Sequence, residues 1–427
     1  MLTVLFCLAL GGEGSRYLEV ALDTARWLES AAIKTPNGLA WPADPRDPTS
    51  VQASLYTGSC GVILFLLELH HATEQAHALE QARAGADQLI AGLQEPAAVH
   101  DLGLYTGLAG VAFTLEQVAA ATQAECYRVG AERARAALRA SARSVDGGSD
   151  WNDTSDVISG TAGIGLALLA ANDAADVALA TRAGKRLLAL AIADGANRKW
   201  RMDPTFERLM PNFSHGTAGI AYYLACLHAA THAGEFLDGA IAGAHYLQAV
   251  ARTEGDQCLI LHHEPQEDGK NLFYLGWCHG PVGTARLFQK LFQITGSAEW
   301  LSWVTRCANA ILMSGIPDQL TPGFWNNVGQ CCGSAGIAEF FLELHRLTRE
   351  PRYLAFAKRL TEQLLAKATT DAAGTRWVQA EHRLKPDLLV AQTGYMQGAA
   401  GIGMWLLHLD EFERGTVPRI RLPDSPW

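Results

Sequence analysis

The chain has 427 residues, of which 18% are charged and 49% hydrophobic, so it is long enough to bury a sizeable core. Its formal net charge is −10 and it has no basic run, which excludes a nucleic-acid-binding protein on electrostatic grounds. The nine cysteines lack the spacing of a secreted disulfide framework. We therefore expect a cytoplasmic protein whose thiols are free or bind a metal.

The chain begins with the apolar run MLTVLFCLAL. Ten apolar residues are too few to span a bilayer. The run also lacks a basic flank and a clear cleavage site, so a signal peptide is the weaker alternative. We interpret residues 1–14 as a short apolar segment that packs on the core, and residues 15–427 as one domain. No other stretch reaches transmembrane length, and stable membrane insertion is not expected.

A Gly-x-x-Gly motif then recurs seven times at intervals of 49 to 65 residues. Its first glycines are Gly58, Gly107, Gly160, Gly216, Gly280, Gly333 and Gly398. Each motif opens an apolar run, such as VILFLLELHHAT or IAEFFLELHRLT, that predicts a buried helix. Amphipathic segments such as PRYLAFAKRLTEQLLAK lie between them and predict seven further helices, each with one apolar stripe.

This alternation predicts an all-α fold, an α/α toroid of seven helical hairpins with an inner and an outer ring of helices. Each hairpin buries its apolar face only against its neighbours. The terminal repeats are apolar, which favours closure into a ring over an open superhelix. We expect the glycines to relieve crowding where the inner helices start near the axis, and to allow positive φ in the entering turn.

The residues just before each first glycine should line a central mouth, at the positive ends of the helix dipoles. They are Thr57, Thr106, Ser159, His215, His279, Cys332 and Gln397. Repeats five and six, which are neighbours in the ring, bring Cys278, Cys331 and Cys332 to this mouth. Three thiolates are a ligand set for zinc with one position left open.

Two other interpretations of these cysteines remain. They are ordinary buried thiols, as we expect for the helical Cys126, Cys226 and Cys307, or they form a closed structural zinc site. A closed site needs a fourth protein ligand, for which His279 is the nearest candidate.

His215 faces the same mouth, and Asp156 stands four residues before the third glycine motif. A carboxylate beside an imidazole fixes its orientation and raises its pKa, so these two residues are candidates for acid–base catalysis. The simpler alternative for His215 is a helix cap or a satisfied polar residue, and for Asp156 it is a loop carboxylate or a helix cap. The sequence His262, His263, Glu264 is followed by Pro265 and lacks the HExxH spacing, so we interpret it as a solvent-exposed loop.

Four segments resemble the lanthionine synthetase C-like cyclases, and the likeness extends over all seven repeats. They are SDVISGTAG at 155–163, SHGTAG at 214–219, WCHGPVG at 277–283 and CCGSAG at 331–336. The ending RLPDSPW is also similar to that of many standalone members.

The resemblance implies an α/α toroid with one catalytic Zn²⁺ per chain. It implies addition of a cysteine thiol of a dehydrated precursor peptide to dehydroalanine or dehydrobutyrine, which forms lanthionine or methyllanthionine. Cys278 and Cys331 match the first two zinc ligands of the family, and His215 and Asp156 match its acid–base residues.

The sequence departs from the common family pattern at Cys332, where most standalone members carry histidine. The three-cysteine set resembles that of some fused dehydratase–cyclase enzymes. We expect the first toroid helix near residue 15, which leaves no room here for a dehydratase domain and favours a separate dehydratase as partner. Tyr274 occupies a position where some members place an arginine.

Three alternatives to peptide cyclisation remain at this stage. Some relatives add glutathione to dehydroamino acids in proteins. A toroidal glycoside hydrolase would need paired carboxylates at the mouth, for which Asp150, Asp153 and Asp156 are available, but it leaves the cysteines unexplained. A non-catalytic zinc module that binds peptides is the third alternative.

Overall fold

The computed structural model describes residues 15–94, 101–265 and 271–427. The described residues contain fourteen α-helices. In chain order they are α1 Arg16–Ala31, α2 Ser59–Thr73, α3 Ala76–Gly92, α4 Leu108–Thr122, α5 Glu125–Ser141, α6 Thr161–Ala171, α7 Ala174–Ala189, α8 Thr217–Thr231, α9 Gly234–Val250, α10 Pro281–Thr295, α11 Ala298–Met313, α12 Ser334–Thr348, α13 Pro351–Ala366 and α14 Ala399–Arg414.

The even-numbered helices form an inner ring in which each packs against the next, and α14 packs against α2. The odd-numbered helices lie outside them, and α1 pairs with α14, so the first and last helices close the ring. Inner helices are apolar on most faces: α2 is buried continuously from Ser59 to Leu69. Outer helices bury one stripe, which in α13 includes Tyr353, Phe356 and Leu360. The prediction of a closed α/α toroid with two rings is confirmed.

Short strands join several outer helices to the next motif, a feature that the sequence did not reveal. They are β1 Ile33–Thr35, β2 Gly38–Ala40, β3 Arg143–Val145, β4 Gly148–Asp150, β5 Ile192–Asp194, β6 Asn197–Lys199, β7 Thr369–Asp371, β8 Gly374–Arg376, β9 Gln379–Ala380 and β10 Leu389–Val390, paired in five antiparallel ribbons. The β7–β8 ribbon packs on α1. Gly374 has φ 118°, and a Cβ there would lie 2.2 Å from the Asp23 carbonyl oxygen of α1. Only glycine fits this contact.

Close packing explains why the motif positions are glycine. The first glycine of every motif caps its inner helix with φ between −105° and −153°, so our expectation of positive φ is wrong. A Cβ at Gly216 would lie 1.3 Å from the Met210 carbonyl oxygen, and one at Gly219 would lie 2.1 Å from that of Phe213. The predicted crowding is therefore real, but the entering loop of the same repeat causes it.

Four repeats share a buried tryptophan after the outer helix. Its indole N–H donates to a carbonyl oxygen in the last turn of that helix, 2.7 to 2.9 Å away. These residues are Trp41, Trp151, Trp200 and Trp377. The contact satisfies one of the carbonyl groups that a helix C-terminus leaves without an intrahelical partner.

The apolar segment 1–14 lies outside the described residues, so its packing and the proposed domain limits stay predictions. None of the helices within the described ranges is long and apolar enough to cross a membrane. Cys126, Cys226 and Cys307 are free thiols within α5, α8 and α11, as predicted. Of the three only Cys307 is buried; Cys126 is exposed and Cys226 half-buried, so the predicted burial is wrong for these two.

Candidate metal centre

Backbone hydrogen bonds around the axis hold together the seven turns that precede the inner helices. In six of the turns the donor is the residue two positions before the first glycine, and in the third repeat it is Val157. The bonds run from Tyr56 to Tyr105, Tyr105 to Ile158, Val157 to Ser214, Ser214 to Cys278, Cys278 to Cys331, Cys331 to Met396 and Met396 to Tyr56. The circuit closes on itself, so the ring fixes the backbone of Cys278 against that of Cys331.

Cys278, Cys331 and Cys332 lie together at this mouth, as the repeat alignment predicted. Their Sγ atoms lie within 4.8 Å of one another, and the sulfur of Cys332 is 3.2 Å from each of the other two. All three residues are buried. Burial disfavours the Cys331 thiolate, but hydrogen bonds from the other two thiols and from Tyr56 hold its pKa well below the usual value.

Tyr56 and Gln397, to which the sequence assigned no specific role, form hydrogen bonds next to the thiols. The Tyr56 hydroxyl donates to the Cys331 sulfur at 3.1 Å, and the Gln397 amide lies 3.1 Å from that hydroxyl. Asn327 donates in turn to the Gln397 side chain at 2.6 Å. Both Tyr56 and Gln397 occupy aligned mouth positions, which is the signal that marks them in the sequence.

His215 lines the same cleft, and the buried Asp156 contacts it from behind. The Asp156 Oδ1 accepts the backbone N–H groups of Ser159 and Gly160 at 2.8 Å, and its Oδ2 lies 2.5 Å from His215 Nδ1. A carboxylate only accepts, so Nδ1 carries the proton and Nε2 is the free ring nitrogen. Burial opposes the charged imidazole, yet the hydrogen bond to Asp156 and its charge outweigh burial and raise the pKa of His215.

His262, His263 and Glu264 do not form the exposed loop that we predicted. His263 is buried, the His262 ring centroid lies 4.1 Å from that of His279, and Glu264 accepts a hydrogen bond from Tyr246 at 3.0 Å. Burial, followed by the charge of His263, lowers the pKa of His262 to about 3. Aromatic contacts and the outer helix α9, which carries Tyr246, therefore hold this segment against the cleft wall.

His279 packs toward this wall and away from the sulfur atoms. Among the described residues, it is not part of the group whose ligand atoms lie within 4.8 Å of Cys278, Cys331 and Cys332. Its Nδ1 is buried and has no hydrogen-bond partner in the described part of the chain. The structure thus does not bring the fourth protein ligand of a closed zinc site to the three thiols.

Tyr274, which stands where some family members place an arginine, meets an arginine from elsewhere in the chain. The Arg383 Nε donates to the Tyr274 hydroxyl at 3.1 Å. Arg208, Arg383 and Lys385 line the cleft together with the thiols and His215, and its volume is about 520 Å³. No sequence motif marks these three cations, because they come from irregular loops. In a protein of net charge −10, the cleft thus presents three cations alongside Glu381.

The C-terminal tail, residues 415–427 after α14, closes the floor beneath the thiols. Asp424 is fully buried and accepts hydrogen bonds from the Tyr105 hydroxyl and the Trp277 indole at 3.0 Å, and from Arg286 at 2.8 Å. Trp277 immediately precedes Cys278. Through Asp424 the tail therefore joins the second and fifth repeats directly behind the metal-ligand candidates.

A family model described as lanthionine synthetase C-like protein matches residues 49–422, a span that contains all seven glycine motifs. This chain belongs to that family. Among curated proteins, this lanthionine synthetase C-like chain is 25% identical over 146 residues to "Glutathione S-transferase LANCL1" of Danio rerio. That match spans 33% of this chain and 32% of the relative.

Solved structures share the fold of this lanthionine synthetase C-like protein. Nisin cyclase superposes with a TM-score of 0.67 at 17% identity, over 96% of this chain and 95% of its own. A family 76 glycoside hydrolase from a bovine Bacteroides thetaiotaomicron strain gives 0.52 at 13% identity, over 93% and 78%. At these identities the likeness concerns the fold alone. Asp150 and Asp153, the carboxylates considered for hydrolysis, pair with Arg143 and do not line the cleft.

Proposed function

We propose that this protein is a zinc-dependent lanthipeptide cyclase, which adds peptide cysteine thiols to dehydroalanine or dehydrobutyrine and forms lanthionine or methyllanthionine rings. One observation carries the proposal: three buried thiols share a cleft with a carboxylate-oriented imidazole. Membership of the lanthionine synthetase C-like family supports it.

The donor set fits one Zn²⁺ ion. Thiolates are preferred zinc ligands, and three protein ligands leave the open position that distinguishes a catalytic site from a closed one. Cys278, Cys331 and Cys332 would hold the ion, since their sulfur atoms already converge. When bound, Zn²⁺ lowers the pKa of a substrate thiol and so supplies the nucleophile at neutral pH.

His215 supplies the proton that the addition requires. The substrate sulfur attacks the β-carbon of the dehydro residue, and the π-electron pair moves to the α-carbon as an enolate. His215 Nε2 donates a proton to that α-carbon, and the proton lost by the substrate thiol balances it. Asp156 keeps His215 in the required tautomer and raises its pKa, so that the imidazole is charged when the enolate forms.

Tyr56 and Gln397 position the thiols and take no part in proton transfer. Burial, and then the nearby Cys331, raise the pKa of Tyr56 far above its usual value, so its hydroxyl stays protonated and donates to Cys331. Hydrogen bonds to ligand sulfur atoms of this kind orient the ligands and tune the metal. The dehydrated substrate peptide would come from a separate dehydratase.

The second candidate is addition of glutathione or another small thiol to dehydroamino acids in proteins. The cationic cleft residues Arg208, Arg383 and Lys385 favour a thiol that carries carboxylates, as does the similarity to the Danio rerio protein named as a glutathione S-transferase. The same chemistry serves either substrate. A non-catalytic zinc-containing peptide-binding module is the third candidate, and a fourth protein ligand at the metal would favour it.

One assay separates the three candidates. Zinc-loaded protein is incubated anaerobically with a peptide that contains both dehydroalanine and cysteine, with and without glutathione, and products are analysed by mass spectrometry after thiol alkylation. Ring closure leaves the peptide mass unchanged and removes the alkylatable thiol, whereas glutathione addition raises the mass. No thioether above background, with either thiol source, would leave only the binding module.

Matched variants assign the roles. We expect Cys331→Ala to lose zinc and activity together, and His215→Gln to keep zinc but lose activity. Cys126→Ala, which removes an exposed thiol on α5, is the control and should change neither. If His215→Gln kept full activity, the imidazole would have no acid–base role.

A further inference from the structure

The end of the ring opposite the mouth holds a second cluster of ligand-type side chains. Glu68 and His71 lie on α2, and Glu411 lies on α14. Their carboxylate and imidazole ligand atoms are within 4.8 Å of one another. These are the first and last inner helices, so the cluster sits at the seam where the ring closes.

The two carboxylates of this cluster are buried without a cationic partner. Glu68 is 0% and Glu411 is 1% exposed, and neither forms an ion pair within the described residues. The nearby cations are engaged elsewhere: Arg414 pairs with Asp410, and His408 with Glu339. Two adjacent buried carboxylates are costly unless a proton or a cation compensates their charge.

The hydrogen bonds of the two carboxylates differ. Glu68 accepts the backbone N–H groups of Arg419 and Ile420 at 3.0 and 2.7 Å. The Glu411 Oε2, in contrast, is buried and has no hydrogen-bond partner among the described residues. Burial, together with the charge of Glu68, raises the pKa of Glu411 to about 7. An unpartnered buried oxygen beside a second carboxylate and an imidazole points to a missing cation.

We propose that Glu68, His71 and Glu411 bind a divalent cation, separate from the zinc held by the three cysteines. A Glu-x-x-His pair on one helix with a glutamate from its neighbour is half of the donor set that helical bundles use for paired iron or manganese ions, and so provides ligands for one ion. Two carboxylates neutralise a dication, which removes the charge problem at the seam. This oxygen-rich donor set suits Mn²⁺, Fe²⁺ or Zn²⁺ with water in the remaining positions.

The site has a path to solvent on one side. His71 is half-buried and lines a surface cleft with His70, Glu74 and Arg419. The tail covers the other side through its bonds to Glu68. Arg419 is the unfavourable neighbour, but its side chain is exposed, so water screens its charge from the cluster.

A cation here would act as a structural clamp. It would join α2 to α14 across the seam and keep Glu68 ionised as the acceptor for the tail. The same tail carries Asp424 to the floor of the cleft. Binding to the folded state alone stabilises it in proportion to the logarithm of ligand concentration.

Mn²⁺ is the probe that tests the proposal, because it prefers oxygen and nitrogen ligands over the thiols. The triple variant Cys278→Ser, Cys331→Ser, Cys332→Ser is stripped with chelator and titrated with Mn²⁺ at pH 8, with free Mn²⁺ followed by electron paramagnetic resonance. We expect one bound Mn²⁺ per chain and a melting temperature raised by about 3 °C at saturating metal.

Added to that background, Glu411→Gln should weaken Mn²⁺ binding at least ~10-fold and abolish the thermal shift. His71→Gln, at a half-exposed position, should do the same and serves if Glu411→Gln does not fold. Glu80→Gln, an exposed glutamate on α3, is the matched control. No Mn²⁺ bound in the cysteine variant, or binding unchanged by Glu411→Gln and His71→Gln, overturns the proposal. The test measures no cyclisation and is independent of the proposed function.

Discussion

At the scale of single residues, the contact between Asp156 and His215 is the one that the proposed chemistry depends on most. We predict that Asp156→Asn lowers the cyclisation rate about 10² to 10⁴-fold. Asparagine keeps the Oδ1 acceptor for Ser159 and Gly160 but removes the charge that stabilises the imidazolium. Zinc content and melting temperature should stay close to wild type, and single-turnover rates measure the loss.

The same variant should shift the pH dependence of the cyclisation rate in a definite direction. In the proposed mechanism His215 donates a proton only while it is charged, so we expect the rate to fall as pH rises through the pKa of His215. Asp156 raises that pKa above 6.5, which extends activity toward higher pH. In Asp156→Asn the falling limb should move to lower pH, because burial, which lowers the pKa of His215, is then opposed only by the charge of Cys331. If the falling limb of the rate–pH curve stays at the same pH in Asp156→Asn, a group other than His215 causes it.

Cys332 is the residue that separates this chain from the common pattern of its family. Three thiolates with Zn²⁺ carry a formal charge of −1, whereas two thiolates and a neutral histidine carry none. A site with the extra negative charge withdraws less charge from a substrate thiolate. We predict that Cys332→His cyclises more slowly at unchanged zinc content. Equal or faster cyclisation with full zinc occupancy would contradict this prediction.

Residues of the site were predictable where the repeat fixes their position. The aligned glycine motifs predicted the convergence of the cysteines, because a ring of repeats places equivalent residues around one central axis. They also placed His215 at this mouth. His262 and Arg383 belong to irregular loops with no periodic signal, and only tertiary contacts bring them into the cleft. The exposed loop predicted for His262 and His263 was wrong for the same reason.

At the scale of elements, helices were predictable and the connections between them were not. The seven apolar runs and the amphipathic segments carry periodicity over about three or four turns, which is a strong signal. Strands β1 to β8 have three residues each, too short for an alternating pattern. Their ribbons depend on a tertiary contact with the next outer helix, as Gly374 shows against α1.

The tryptophan that follows the outer helix in four repeats allows a test of how much these connections stabilise the fold. Trp200 donates to the Leu187 carbonyl at 2.7 Å, in the last turn of α7. We predict that Trp200→Phe lowers the free energy of unfolding by about 1 to 3 kcal/mol, since it strands a buried carbonyl and loses packing volume. Denaturant unfolding measures this change. Trp303→Phe on α11 is the control: its half-buried side chain has no such bond to a helix end, so it should cost clearly less.

At the scale of the whole molecule, closure is achieved twice. The outer contact between α1 and α14 joins the two ends of the helical array, and the hydrogen-bond circuit around the mouth joins all seven turns. Each turn is hydrogen-bonded to the turns on both sides of it. We therefore expect a disruption of one repeat to disturb its neighbours as well. The thiols come from two adjacent turns of this circuit, so ring closure and ligand geometry depend on each other.

The tail is the third element of closure, and Asp424 is its anchor. Its carboxylate is the ion-pair partner of Arg286, an inner-helix arginine whose side chain is largely buried. We predict that Asp424→Asn lowers the free energy of unfolding by about 3 to 5 kcal/mol, because it leaves that guanidinium unpaired. Denaturant unfolding monitored by circular dichroism measures the change, and Arg421→Gln, an exposed tail position, is the control.

The same substitution should reach the cleft, because Asp424 also holds the indole of Trp277 beside Cys278. Asparagine can still accept one of the bonds, so Trp277 gains freedom without losing its burial. We expect zinc affinity of Asp424→Asn to fall at temperatures where the variant is still fully folded. If zinc affinity is unchanged under those conditions, the tail stabilises the ring but does not shape the metal centre.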